Sequence, residues 1–371
     1  MPQNYEVEIS PDNMVFTALS NVQNISVSIG RQRQLDAYNA STVTVTLRYP
    51  TGFVTPNTDL VSGNFCAINN LTTGQFIFTG VINNVDVSYG IPYAGGVGQA
   101  DFLTFTAEGS FSRYGRSQGL NYAMAADTLY EQLIDCTTQS GLTVQTLATN
   151  TQPMAATTVS STWGDWLNKV LVTMNGRMQD GFTPGVVYVY SPFDSVLADV
   201  NFSDTTNNAT NQVYDQINFG SYADNYYRQV TVDPENFAAA TVQTGSAPYR
   251  TLLTNTFNAS TSQATDYANY LLNNYKTQGQ ALLSISCFAE AQKTFKLDAL
   301  TGSGSLAIYP GTQVTVTFRG TVFTCIIEGV SMSATPESSR YTFYLSGADL
   351  NAYLKLNNTV FGRLDYNKLG Y

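Results

Sequence analysis

Two stretches near the start of the chain set its pattern. In Asn24–Gly30 the apolar Ile25, Val27 and Ile29 alternate with polar positions, and in Thr42–Tyr49 Val43, Val45, Leu47 and Tyr49 alternate with Thr42, Thr44, Thr46 and Arg48. A period of two rich in β-branched side chains specifies a strand with one buried and one wetted face. The charged connection Arg31 to Asn39 has no such period, and Pro50, Thr51 and Gly52 follow as a turn. Alternation returns in Gln75–Tyr89, where Gly80 and the Asn83-Asn84 pair predict a bend or bulge, and in Asp101–Ala107, with Leu103, Phe105 and Ala107 on one face. Almost everything from Tyr5 to about Gly115 therefore reads as strand. The intervening Gly90–Gly98 is a loop tip whose Gly-Gly-Val-Gly lacks the GxGxxG spacing of a phosphate loop.

The period then changes. Ala126, Leu129, Tyr130, Leu133 and Ile134 recur at helical spacing before Gly141. A second helix follows Thr162: Thr162-x-x-Asp165 has the form of a capping box, and Trp163, Trp166, Leu167, Val170, Leu171 and Met174 make one apolar stripe. Paired tryptophans suit a sugar site, but at helical spacing among Leu and Val a packed core is the better reading. Gly181–Tyr190 returns to strand, so 116–212 reads as a small α+β domain, ending in a linker or exposed loop at Asn201–Asn211.

Strand character resumes at Val213–Phe219 and Tyr226–Val232 and stops at Asp233-Pro234. A third helix intervenes, with Ser260-x-x-Gln263 at its start and a stripe of Ala264, Tyr267, Ala268, Leu271, Leu272 and Tyr275. Leu282–Phe288 and a run of hairpins follow, turning at Tyr309-Pro310-Gly311, Arg319-Gly320 and Pro336–Ser339. The expected architecture is mainly β with α+β insertions: two tube-like β-barrels, the second discontinuous, plus two small helix-containing domains. The divisions are a first barrel over 1–115, the α+β domain over 116–212, a second barrel over 213–236 and 306–349, a helix-containing insertion over 237–305, and a C-terminal arm over 350–371. The second half repeats the style of the first without a residue-level repeat.

Composition changes this picture in one respect. Across 371 residues only 12% are charged, against a usual share of roughly 25%, so the surface is built from Asn, Thr, Ser, Gln and Tyr. A formal net charge of -10 and the lack of any basic run disfavour binding to phosphate backbones, whereas an acidic surface lets nucleic acid pass without sticking. No basic and apolar leader opens the sequence and no run of 18 apolar residues occurs in it, so neither a signal peptide nor a membrane span is expected. Cys66, Cys136, Cys287 and Cys325 lie far apart in apolar patterns and read as buried free thiols in a reducing compartment.

The chain has no histidine, which removes Ser-His-Asp and Cys-His catalysis and the HExxH zinc site. A glycosidase needs only two carboxylates, and Asp127, Glu131, Glu290 and Glu328 are the candidates, with no spacing that pairs them. No catalytic, cofactor or metal residue is assigned. Arg31, Arg33 and Asp36 stand out instead: in so charge-poor a chain this loop either sets register against a neighbouring subunit or is a self-paired polar loop. The arm after Leu350, with Phe361, Leu364, Leu369 and Tyr371 among its apolar residues, has no period and reads as a segment that packs against something.

Several stretches in fixed order resemble the tail hub, or minor tail, proteins of long-tailed bacteriophages. They are Val27–Arg31, Leu35–Thr42 and Val43–Leu47, then Ser161–Leu167 through Asn175-Gly176-Arg177, then Pro310–Val316, and finally Phe361–Asp365 and Leu369–Tyr371. The resemblance implies a structural virion protein, not an enzyme, and no cofactor. It implies a homotrimer at the distal end of the tail whose six barrels adapt a sixfold tube to a threefold tip and line a channel that opens for DNA ejection. The trimer would carry three times -10, or -30. Implied partners are copies of the chain itself, the distal tail protein ring, tip or fibre proteins, and the tape measure protein in the lumen; DNA passes without specific binding. Assembly is implied to take place in the host bacterial cytoplasm. The interface residues expected on this reading are Arg31, Arg33, Asp36 and Tyr38 in the loop and Phe361, Leu364, Leu369 and Tyr371 in the arm. The alternatives are a hexameric distal tail adaptor, which one barrel would serve, and a receptor-binding β protein that recognises host glycan.

Overall fold

The computed structural model describes residues 5–49, 60–71, 74–90, 100–146, 150–181, 183–190, 197–205, 211–220, 226–276, 281–288 and 309–347. The Pro50 turn, the glycine-rich tip, Glu290 and the arm with Phe361, Leu364, Leu369 and Tyr371 lie outside these residues.

The first lobe consists of β1 (Tyr5–Ser10), β2 (Thr17–Ala18), β3 (Val22–Gly30), β4 (Thr42–Tyr49), β5 (Phe65–Asn70), β6 (Gln75–Ser88) and β7 (Asp101–Glu108). Their hydrogen-bonded order is β3-β4-β7-β6-β5-β1-β2, every pairing antiparallel. The two ends of this path, β2 and β3, are consecutive in sequence. The segment 17–30 thus touches β1 with its first part and β4 with its second, which brings the sheet round into a six-stranded ring. Val43, Val45, Leu47, Leu103, Phe105 and Ala107 point into it and are buried. The bulge expected at Asn83-Asn84 is present as a register shift against β7 between Ile82 and Asn84.

The middle domain holds α1 (Ser110–Gly115), β8 (Tyr122–Met124), β9 (Asp127–Thr128), α2 (Leu129–Ser140), β10 (Thr143–Thr146), β11 (Pro153–Met154), β12 (Thr157–Val159), α3 (Trp163–Met174), β13 (Arg177–Asp180) and β14 (Val186–Tyr190). α3 has the full capping box: Asp165 N–H donates to Thr162 Oγ1 at 3.1 Å and Thr162 N–H donates back to the Asp165 carboxylate at 3.4 Å. Its whole predicted stripe is buried, and Trp163 meets Trp166 edge-on while Trp166 stacks on Phe257. α2 starts at Thr128 and stops at Gly141, whose φ of 75° is left-handed. Of its predicted stripe, Leu129 and Leu133 are buried whereas Ile134 is exposed. α1 follows no apolar period and was not expected.

The second lobe uses β15 (Leu197–Ser203), β16 (Asn211–Val213) and β17 (Gln216–Gly220), then, after an insertion, β21 (Ala281–Phe288), β22 (Gln313–Phe318), β23 (Thr321–Ala334) and β24 (Ser339–Gly347). The insertion is a three-stranded sheet of β18 (Gln229–Pro234), β19 (Ala240–Gln243) and β20 (Thr251–Thr256) covered by α4 (Thr261–Tyr275). The pairing runs β16-β15-β22-β23-β24-β21-β17. Its ends are again neighbours in sequence, joined by Tyr214-Asp215, so a second ring closes by the same device. The β22–β23 hairpin turns at Arg319-Gly320, both with positive φ, as a two-residue loop between twisted strands requires.

Three expectations are corrected here. Gln229–Pro234, read as barrel, pairs with β19 and β20 because Val230 and Val232 find their apolar partners on α4. Ala281–Phe288, read as insertion, is a ring strand between β17 and β24. Leu197–Ser203 and Asn211–Val213, read as domain tail and linker, are strands: Phe202 is in the ring core and Asn201 bonds the hydroxyls of Thr315 and Thr317 on β22.

The two rings are one fourteen-stranded sheet, fused where β3 pairs antiparallel with β23, from Ile25 opposite Ala334 to Gly30 opposite Gly329. The hydroxyls of Tyr5 on β1 and Tyr341 on β24 also meet across the lobes. The apolar interiors of the two rings form one continuous core.

Candidate functional site: a buried arginine–glutamate junction

At one end of the seam the backbones cross at two glycines. A Cβ on Gly30 would stand 2.5 Å from Glu328 O, and one on Gly329 would stand 2.4 Å from Arg31 O. Only glycine permits this approach, and Gly30 also has a φ of 80°. The β23–β24 register slips between Ile327 and Gly329, so Glu328 sits in a bulge. A bulge re-aims a side chain. Glu328 is turned away from the ring core and is fully buried.

Two arginines meet it there. Arg31, the first residue beyond β3, donates from Nε to Glu328 Oε2 at 2.8 Å. Arg177, the first residue of β13, donates from Nη2 at 2.7 Å and from Nε at 3.2 Å to Oε1. Ser346 on β24 adds its hydroxyl to Oε1. The turn that delivers Arg177 is the C-terminus of α3, where Asn175 takes a left-handed φ of 51° and Gly176 N–H donates to Leu171 O. Burial alone would raise the Glu328 carboxyl, but the guanidinium charges of Arg177 and Arg31 and the Ser346 hydrogen bond outweigh it and hold it at about 2. Burial likewise disfavours the charge on Arg31, and Glu328 more than restores it.

The loop between β3 and β4 gathers the remaining parts. The Arg31 guanidinium lies 4.3 Å over the Tyr38 ring and donates from Nη1 to Asp36 O. Asn168 on α3 brackets Tyr38, accepting from its N–H at 3.0 Å and donating to its carbonyl at 3.2 Å. Gln34 reaches Asn175 and accepts from the Tyr275 hydroxyl of α4 at 2.7 Å, while Asn175 donates to Tyr270 of α4. Ser41 N–H closes the loop on Asp180 at 2.6 Å. One eleven-residue connection, 31–41, therefore touches both rings, the middle domain and the insertion.

Of the expected interface residues, Arg31 and Tyr38 are buried inside this junction, whereas Arg33 and Asp36 are partly exposed and paired with each other at 3.1 Å. Glu328 and Arg177 were not predicted to meet. The signal that marks them is charge within an apolar run, as in Cys325-Ile326-Ile327-Glu328-Gly329-Val330. The other candidate carboxylates do not assemble: Asp127 accepts from Thr128 N–H and Glu131 lies exposed in the first turn of α2. Among the described residues no group of three or more Cys, Asp or Glu is placed to hold a metal ion, and no helix is long and apolar enough to cross a membrane. The four cysteines are free and buried, and burial pushes the Cys136 and Cys325 thiols up to about 12. The junction is fitted to holding four parts in register: the Glu328 carboxylate is spent within the chain on Arg31, Arg177 and Ser346, while Arg31 Nη2 and the Tyr38 hydroxyl are enclosed there without a hydrogen-bond partner among the described residues.

No protein-family profile matches the sequence, and no curated protein matches it. Solved structures do. The 43 kDa tail protein of prophage MuSo2 from Shewanella oneidensis is similar with a TM-score of 0.66 at 10% identity, over 94% of this chain and 99% of that one. A tail protein from Neisseria meningitidis MC58 gives 0.62 at 11% identity, over 92% and 96%. The chain has the fold of a phage tail protein. That fold extends to the E. coli c3393 protein, a type VI secretion system component described as similar to the T4 tail proteins gp27 and gp5, with a TM-score of 0.51 at 9% identity over 92% of this chain and 76% of that one. The mainly β fold with a few helices is the one the strand and helix periods anticipate, and its likeness to tail proteins is the one the resemblance implies.

Proposed function

We propose that the chain is a structural tail hub, a homotrimer at the distal end of a phage tail that lines the DNA channel and adapts a sixfold tube to a threefold tip. The observation that carries this reading is the pair of six-stranded rings fused side by side in one chain. Three copies related by a threefold axis present six similar rings, which matches a sixfold partner without needing six subunits. Similarity along nearly the whole chain to tail proteins of two prophage or bacterial sources supports a place in the tail.

On this reading the chain divides into first ring, middle domain, second ring, insertion and C-terminal arm. Its neighbours are other copies of itself, the distal tail ring on one side, tip or fibre proteins on the other, and the tape measure protein inside until DNA replaces it. Arg33 and Asp36, which the junction leaves at the surface, and Phe361, Leu364, Leu369 and Tyr371 of the arm are the residues assigned to these contacts.

The native mass of the purified protein across concentration, with electron micrographs of the assembled species, tests the proposal. A trimer with a central hole is expected. A closed hexamer would replace the hub by a distal adaptor, and a monomer that binds host polysaccharide would replace it by a receptor-binding protein.

A further inference from the structure

The outward faces of the strands around the seam carry side chains that neither the ring cores nor the junction use. Register sets Thr106, Thr44, Ser26 and Ser333 side by side across β7, β4, β3 and β23. One step along, Thr42, Ser28, Ser331 and Thr342 line up from β4 to β24, and Thr342 closes the row on the buried Ser286 of β21 at 2.9 Å. Their alternates, among them Val45, Ile25, Val330 and Phe343, are buried in the cores, which fixes the hydroxyls on the opposite face. Thr42, Ser28 and Ser333 are exposed. The rows hold no carboxylate of their own; at the β7 end Glu108, opposite Thr42, is paired with Arg116 at 3.2 Å, and Arg340 beside Ser333 is paired with Asp215 at 2.7 Å. In a chain of net charge -10 the acids that border this strip are thus each balanced by an arginine.

The chemistry of the strip excludes two occupants. The buried centre of a contact between protein subunits is mostly apolar, and these rows offer hydroxyls instead. Retention of a phosphate backbone needs clustered Lys and Arg, which the rows lack. Hydrated neutral hydroxyls neither repel phosphates nor hold them. We propose that this hydroxyl strip is the channel wall past which the DNA duplex slides, kept neutral so that the polyanion meets neither a barrier nor a binding site. The inference rests on the hub reading and adds the face, the residues and their neutrality, in place of an acidic wall.

Because the native thiols are buried, Ser28→Cys and Ser333→Cys each supply one accessible label on a quiet background. In the isolated trimer both variants should react with N-ethylmaleimide and be protected at least tenfold from a maleimide carried on a globular protein too large for the channel. Equal reaction with both reagents would put the strip on the exterior, and reaction with neither would make it a subunit contact; each overturns the proposal while the measured trimer mass stands. Failure to assemble at all would instead overturn the hub reading. In the second arm, trimers with Ser28→Lys and Ser333→Lys should gain at least tenfold in duplex binding at low salt and lose it as salt rises. No gain would overturn the claim that neutrality is what keeps DNA moving.

Discussion

Glu328 and Asp180 are both enclosed carboxylates, yet their surroundings push them in opposite directions. Asp180 is desolvated and has the N–H groups of Phe111 and Ser41 against it, both at 2.6 Å, and burial wins, raising it. Glu328 is more deeply buried but faces two guanidinium groups, and is lowered to about 2. Its contribution to stability is therefore complete above the ordinary carboxylate range and is lost as pH falls from there through about 2. Glu328→Gln should cost about 3–5 kcal/mol, since it leaves two buried guanidinium charges without a counter-ion. Urea unfolding of both proteins at neutral and acidic pH checks this: the gap between them should narrow as the wild type is acidified. The sequence singled out Arg31 and offered Glu328 among its candidate carboxylates but not their pairing, because a contact across 297 residues leaves no local trace.

The elements were more legible than their company. Every long helix and most ring strands follow from a period of 3.6 or 2, and the starts of α3 and α4 were readable to the residue, whereas α2 begins at Thr128, after the Ala126 with which its stripe was expected to open. The start of α3 satisfies both halves of its box, whereas at α4 only Gln263 N–H to Ser260 Oγ is made, the Gln263 side chain accepting instead from Ala259 N–H. Thr162→Ala should cost about 1 kcal/mol, measured as a shift in the thermal midpoint, with native mass unchanged. Pairing was not legible in the same way. Alternation fixes which face of a strand is apolar but not which neighbour it joins, so β18 and β21 were each assigned to the other's sheet. β15 was hidden because Asn201 and Asn211 look like loop residues until the Thr ladder of β22 is beside them.

At the scale of the molecule, β3 and β23 do the same work. Each lends one edge wholly to its own ring and divides the other, β3 following the strand that pairs with β1 and β23 pairing first with β22, before both turn to the seam. No residue repeat announces this, since closing a ring constrains apolar alternation and not identity. The Gly30–Gly329 crossing is where the two halves are locked. Gly329→Ala should cost at least the about 1–3 kcal/mol of overpacking a filled site, because the new methyl meets carbonyls from which the seam cannot retreat. Hydrogen exchange should show lost protection on both sides of the seam, in β3 as well as in β23, and not in α4.

The ring closure has a bearing on how the folded chain meets other chains. An open sheet ends in a line of unanswered N–H and C=O groups that recruit any passing strand, the usual route to fibres. Here the segments 17–30 and 211–220 each meet the last strand of their own path, so that both ring ladders return on themselves, whereas β19 and β20 remain the edges of the three-stranded sheet. The two rings therefore offer a passing strand fewer open edges than a flat sheet of the same strands would.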